Sequence, residues 1–177
     1  PKNRIVSALK KSGASHLVLE KQQRYAIEFN TINVHDLLQS SCDTSATPAQ
    51  LNTNDALYII FTSGSSGEPK GVVSTHAGCV NRVLWMQQHL KVSHTDCILF
   101  KTSIAFDVSV WEILLPLLSG ASVAIAEESK AGDPDYLLTI INRHKISIMH
   151  MVPSLLHVFI QLAKKDKART SSLRAVI

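Results

Sequence analysis

The sequence is poor in the features that mark a secreted, metal-bound or membrane-embedded protein. Its three cysteines, Cys42, Cys79 and Cys97, show no paired spacing. So sparse and odd a set argues against a disulfide framework and for reduced thiols in the cytoplasm. Eight histidines are present, but none forms an i, i+4 pair with an acid between, so no zinc site is readable. There is no initiator methionine and no charged-then-apolar leader, so the chain reads as a piece of something longer. One stretch has the length of a membrane span, "VSVWEILLPLLSGASVAIA" at 108–126. Glu112, Pro116 and the Ser119-Gly120 pair interrupt it, which fits helix, turn and strand instead. A basic stripe is missing too. The 18 lysines and arginines are scattered apart from "KKDKAR" at 164–169, and the formal net charge is +4. A nucleic-acid surface would be more concentrated; this mild balance suits small anionic ligands. No repeat or low-complexity tract occurs.

What is present is globular: 45% hydrophobic and 18% charged residues over 177 positions. That suffices for one α/β domain or a large piece of one. "NRIVSALKKSG" reads as a helix stopped by Gly13, "HLVLE" (16–20) as a short strand and "AIEFN" as another. Residues 40–54 are polar and breaker-rich, an internal loop. "ALYIIFT" (56–62) reads as a buried strand and "GVVSTH" as a strand; "AGCVNRVLWMQQHL" (77–90) reads as a helix opened by His76. Next come strand "CILF", helix "DVSVWEILLPLL", strand "SVAIA" and helix "DPDYLLTIINRH" with Asp133 or Asp135 at its start. Strand "ISIMHM", helix "PSLLHVFIQLAKK" and a last strand in "LRAVI" complete the order. Strands alternating with helices of this length predict an α/β fold: layered βα units on a largely parallel sheet.

Between two of the strands lies "FTSGSSGEPKG", residues 61–71. Glycines let backbone N–H groups converge on an anion, hydroxyls add donors, and a lysine adds charge. Two standard phosphate loops are excluded. Gly64 and Gly67 are too close for the Walker pattern, and Lys70 is followed by Gly71 rather than a hydroxyl residue. The dinucleotide fingerprint is absent, and a strand follows the loop rather than a helix. On composition alone, a surface turn and a phosphate cradle both remain open.

The full string "YIIFTSGSSGEPKGVVSTH" resembles the phosphate-binding loop of the adenylate-forming superfamily, near T-S-G-[ST]-T-G-x-P-K-G, with Ser66 in place of a threonine. "FDVSVWE" at 106–112 matches the F-D-x-S-V-W-E segment of nonribosomal peptide synthetase adenylation domains position by position. The resemblance covers essentially the whole chain, which would then be part of the large N-terminal core of such a domain, truncated at both ends. It implies attack of an amino acid carboxylate on the α-phosphate of ATP, aided by Mg²⁺. The aminoacyl group then passes to a phosphopantetheine thiol on a carrier protein among neighbouring synthetase domains.

By the same resemblance, Thr62, Ser63, Gly64, Ser65, Ser66, Gly67 and Lys70 surround the outer phosphates of ATP. Phe106 lies beside the α-phosphate, where the alternative is core packing. Asp107 pairs with the substrate ammonium, where the alternative is a helix N-cap. On a helix, residues 107, 108 and 111 fall within a sector of about 100°, so Asp107, Val108 and Trp111 can line one pocket. His150 joins them from the strand, where Ile146, Ile148 and His150 are expected on one face. Asp107, Val108, Trp111 and His150 resemble the start of the pocket set of serine-activating domains; a satisfied core histidine is the plainer alternative. Glu112 is expected in a structural salt bridge, and His76 in a structural role. The family's later motifs are missing, so residues 1–177 alone are expected to be inactive. Three other readings stay open: an acyl-CoA synthetase or ligase of the same superfamily, a non-catalytic nucleotide-binding remnant, and a nucleic-acid binder. Neither nucleic acid nor membrane is an expected partner.

Overall fold

The computed structural model describes residues 2–20, 30–40, 50–63 and 69–177. They form two compact units, the first ending at Ala77 and the second starting at Gly78.

In the first unit, helix α1 (Lys2–Ser12) stops at Gly13, whose φ of 66° is left-handed and suits a residue without Cβ. Strand β1 (His16–Leu19) pairs in parallel with β2 (Asn30–Asn33), Val18 opposite Ile32. Most of "AIEFN" lies outside the described residues; β2 begins at its last position. Helix α2 (Val34–Gln39), which the sequence did not reveal, is capped by Asn33, whose side chain accepts from His35 N–H. Of the polar stretch 40–54, the described positions carry no helix or strand.

Strands β3 (Ala56–Ser63) and β4 (Pro69–Thr75) form an antiparallel hairpin. The expected burial of β3 does not hold: Leu57 is 37% and Ile59 39% exposed. Among the described residues β3 has a single sheet partner, so its apolar side chains pack along the ribbon instead of into a layered core. Gly71 is part of that packing. A Cβ there would come 3.1 Å from Ile59 Cγ2 and 3.2 Å from two Phe61 ring carbons.

Helix α3 (His76–Leu90) starts where the backbone N–H of His76 bonds to Asp55 O, and it buries Cys79, Val83 and Met86. The second unit then alternates strand and helix. Its elements are β5 (Cys97–Phe100), α4 (Val108–Ser119), β6 (Ser122–Ile125), α5 (Pro134–His144), β7 (Ile148–Met149), α6 (Pro153–Lys165) and β8 (Ala175–Val176). The four strands pair in parallel in the order β6-β5-β7-β8. Helix α5 is capped by Asp133, which accepts from the N–H groups of Asp135 and Tyr136, and α6 opens with Pro153 in its first turn.

The strand order fixes where the helices lie. Helix α4 carries the chain outward from β5 to β6; α5 carries it back past β5 to β7. Right-handed crossovers in opposite directions put the two helices on opposite faces. The core agrees: Leu99 and Met149 cluster with Leu137, Leu138 and Ile141 of α5 and Phe159 of α6. Alternation along the strands therefore turns Ile98, Phe100, Ile148 and His150 toward α4. Ile146 does not share that face. The ladder covers only Ile148–Met149, Ile146 N–H still bonds back to Ile141 O, and its side chain packs in the α5 cluster. The pleat begins only after the helix exit, which is why strand periodicity misplaced this residue.

Cys79 and Cys97 are unpaired thiols, both pushed up by burial, and Cys42 lies outside the described residues. No helix among the described residues is long and apolar enough to cross a membrane.

Candidate functional site

The phosphate-loop residues divide between the described hairpin and the segment outside it. Gly64, Ser65, Ser66 and Gly67 lie outside the described residues. Their flanks are fixed by pairing: Thr62 stands opposite Lys70 and Ser63 opposite Pro69. Thr62 Oγ1 donates to Lys70 O at 3.4 Å, and Lys11 Nζ donates to Pro69 O at 3.2 Å. The hairpin thus delivers two hydroxyls and one ammonium, all on exposed residues, to the mouth of the glycine segment. This donor set fits a polyphosphate.

The second group of residues belongs to the parallel sheet. In open α/β sheets, ligands bind beyond the carboxyl ends of strands where neighbouring crossovers leave in opposite directions. Here that switch point lies between β5 and β7. Lys101 follows β5 directly, and His150 follows β7. Asp107 and Val108 open α4, and the chain between β5 and α4 runs over the same edge.

Asp107 occupies the N-cap position, but its φ and ψ of −61° and −26° are helical and its side chain makes no capping bond. The capping alternative therefore fails. Phe106 is 63% exposed, so the described residues do not pack it into a core. Exposure falls along the expected sector, from exposed Asp107 through half-buried Val108 to Trp111 at 5%.

His150 is half-buried. Burial, and then the charge of Lys101, hold its imidazole below the usual range, against the opposing pull of Glu112 and Asp107. The four side chains therefore share one electrostatic neighbourhood. Burial also lowers the Lys101 ammonium, with Glu112 acting in the other direction.

Glu112 is fully buried, and its partners correct the salt-bridge expectation. Oε2 accepts from the backbone N–H of Lys101 (3.1 Å) and of Thr102 (2.9 Å), and Oε1 from the Thr102 hydroxyl (2.8 Å). Two backbone N–H groups and one hydroxyl satisfy this acid where a side-chain cation was anticipated. Sequence reasoning passed over Lys101 and Thr102. The available signal was an acid inside an otherwise apolar helix, which must find hydrogen-bond partners. No group of His, Cys, Asp and Glu among the described residues could hold a metal ion.

The comparisons with known proteins agree in one direction. The family model for "AMP-binding enzyme" matches residues 1–177. Tyrocidine synthase 3 of Brevibacillus parabrevis is 35% identical over 159 residues, spanning 88% of this chain and 2% of that protein. Vanchrobactin synthetase VabF of Vibrio anguillarum is 46% identical over 109 residues, 62% of this chain and 4% of that one. Among solved structures, the nonribosomal peptide synthetase FmoA3 in its α-methyl-L-serine-AMP bound form superposes with a TM-score of 0.85 at 26% identity. That match covers 98% of this chain and 20% of that one. The AMPPNP-bound form gives 0.86, with 98% and 19% covered. The chain thus spans under a tenth of those two curated relatives and about a fifth of the FmoA3 chain. With a match along its whole length and nonribosomal peptide synthetases among its relatives, the chain belongs to the AMP-binding enzyme family.

Proposed function

We propose that this chain supplies the phosphate loop and part of the amino acid pocket of an adenylation domain in a nonribosomal peptide synthetase. The carrying observation is that Asp107 and His150 act on one another electrostatically at the carboxyl edge of β5 and β7, with Val108 and Trp111 following Asp107 along α4. In this reading, Asp107 holds the substrate ammonium by a charge-assisted contact. Trp111 limits depth, and neutral His150 bonds a small side-chain hydroxyl, which favours serine. Lys70, the hydroxyls of Thr62, Ser63, Ser65 and Ser66, and the glycines Gly64 and Gly67 serve the outer phosphates in this reading. Phe106 lies beside the α-phosphate. Bound Mg²⁺ would supply further charge neutralisation at the phosphates, alongside the Lys70 ammonium. The aminoacyl group is then handed to a phosphopantetheine thiol on a carrier domain.

The carboxylate of Asp107 favours an amino acid over a fatty acid, which has no ammonium to pair. The serine-like adenylate bound to FmoA3 supports the finer choice. ATP–pyrophosphate exchange by the complete adenylation domain tests both. Serine should stimulate exchange more than alanine or bulky amino acids; preference for either of those would sink serine. Exchange with fatty acids alone would favour an acyl-CoA synthetase, and ATP binding without exchange a non-catalytic remnant. Residues 1–177 by themselves are expected to show no exchange.

A further inference from the structure

Glu112 is buried in the middle of α4, yet its hydrogen bonds all leave that helix. They end on Lys101 and Thr102, the first two residues beyond β5. The far end of the same loop is tied down as well. Ser109 Oγ donates to Phe106 O at 2.7 Å, and Phe106 N–H bonds to Ser103 O at 3.0 Å. Loop 101–107 is therefore clamped to α4 at both ends, and the loop carries Asp107 and Lys101. A buried acid is costly unless its oxygens are satisfied. Hydrophobic packing of α4 would be served as well by leucine at this position, so the clamp needs a reason outside the helix.

We propose that Glu112 is a positioning residue for amino acid recognition: it fixes the β5–α4 loop so that Asp107 and Lys101 stand at the carboxyl edge of the sheet beside His150. This rests on the amino acid pocket proposed above. The role needs no contact of Glu112 with substrate or ATP. It acts through the backbone of Lys101 and Thr102, and its charge opposes the burial of the Lys101 ammonium.

The test compares E112A, E112Q and T102V with the unsubstituted complete adenylation domain. Pyrophosphate exchange gives KM for the amino acid and for ATP, and amide hydrogen exchange reports on 101–107. E112A should raise the amino acid KM by about tenfold or more and the ATP KM by less than about twofold. Protection of the Lys101 and Thr102 amides should be lost. E112Q keeps one acceptor and should recover part of the effect; T102V loses one bond of three and should fall between. Should E112A fail to fold, T102V carries the same test. A folded variant with unchanged amino acid KM, or with both KM values raised equally, would overturn the positioning role alone. Absence of amino acid-dependent exchange in the unsubstituted domain would overturn the pocket beneath it.

Discussion

Arg174 grips the Asp96 carboxylate at two points, Nε to Oδ1 at 2.8 Å and Nη2 to Oδ2 at 2.9 Å. Ser147 Oγ and the backbone N–H of Ser93 also donate to that carboxylate, and Arg174 Nη1 reaches Leu90 O at 2.7 Å. One buried acid thereby joins the exit of α3 to the starts of β5, β7 and β8, at the end of the sheet opposite the proposed pocket.

The first prediction concerns acid stability. The Arg174 bonds, then those of Ser147 and Ser93, outweigh burial and hold Asp96 at about 2, from an ordinary 3.8. A depressed carboxylate adds stability above its unfolded value and loses it as pH falls through the folded one. The contribution is thus complete above pH 3.8 and gone below about 2. It amounts to roughly 1–2 kcal/mol once screening at the 40% exposed arginine side chain is allowed for. D96N should lower the urea-unfolding free energy by about that much at pH 7, and the gap to the unsubstituted protein should close between pH 4 and pH 2, on the order set by that shift. A gap that persists at pH 2 would show that shape, not charge, matters here.

Gly71 gives a prediction for the hairpin. G71A puts a Cβ within 3.1–3.2 Å of Ile59 and Phe61. Overpacking of this kind costs about 1–3 kcal/mol, and the lower end is expected because Ile59 is half open to solvent. Displacing β4 also moves Lys70 away from Thr62, so the ATP KM should rise while the amino acid KM stays level. Unfolding and exchange kinetics on one preparation check both.

Several of these relationships were readable in advance, and the failures have physical causes. The βα alternation was legible because each helix of the second unit has ten or more residues and a stop or cap, such as Gly120 or Asp133. Helix α2, "VHDLLQ", is too short to show a period. The run "YIIF" announced a strand but carried no information about what would cover it, so β3 was expected to be buried. Ile146 was given a strand's alternation, although α5 still holds its N–H. Asp107 and His150 were nominated by motif likeness, and strand alternation puts His150 on the α4 side. The partners of Glu112 could not be read, because two of its three donors are backbone N–H groups, which carry no residue identity.

His150 should set the pH range of the proposed serine preference. Its imidazole lies below 6.5 because it is buried and faces Lys101, with Asp107 and Glu112 opposing. A lowered histidine is neutral above that range and destabilises the fold only as pH drops below 6.5 and the ring must charge. Discrimination between serine and alanine should therefore be flat from pH 8 to about 6.5 and weaken only on further acidification. H150L should remove most of the discrimination at every pH, because no ring nitrogen is left to bond the hydroxyl. K101M should move the acid limb upward. An unchanged limb in K101M would show that burial alone sets the histidine.

The two halves of the proposed site should separate in kinetics. D107N keeps the size of the side chain and removes its charge, so it should weaken the contact to the substrate ammonium and nothing at the phosphates. A charged hydrogen bond contributes about 1.5–3 kcal/mol, which is roughly a 10- to 150-fold loss in kcat/KM for the amino acid. K70A removes an ammonium from the mouth of the phosphate loop, so its loss should fall on ATP, again by about tenfold or more. Varying each substrate with the other saturating distinguishes the two. If D107N impaired ATP and amino acid alike, Asp107 would be holding the start of α4 together instead of a substrate. The missing capping bond already speaks against that outcome: D107N takes from the helix only the dipole interaction of one exposed carboxylate, about 0.3–1 kcal/mol, which is less than the loss expected at the substrate.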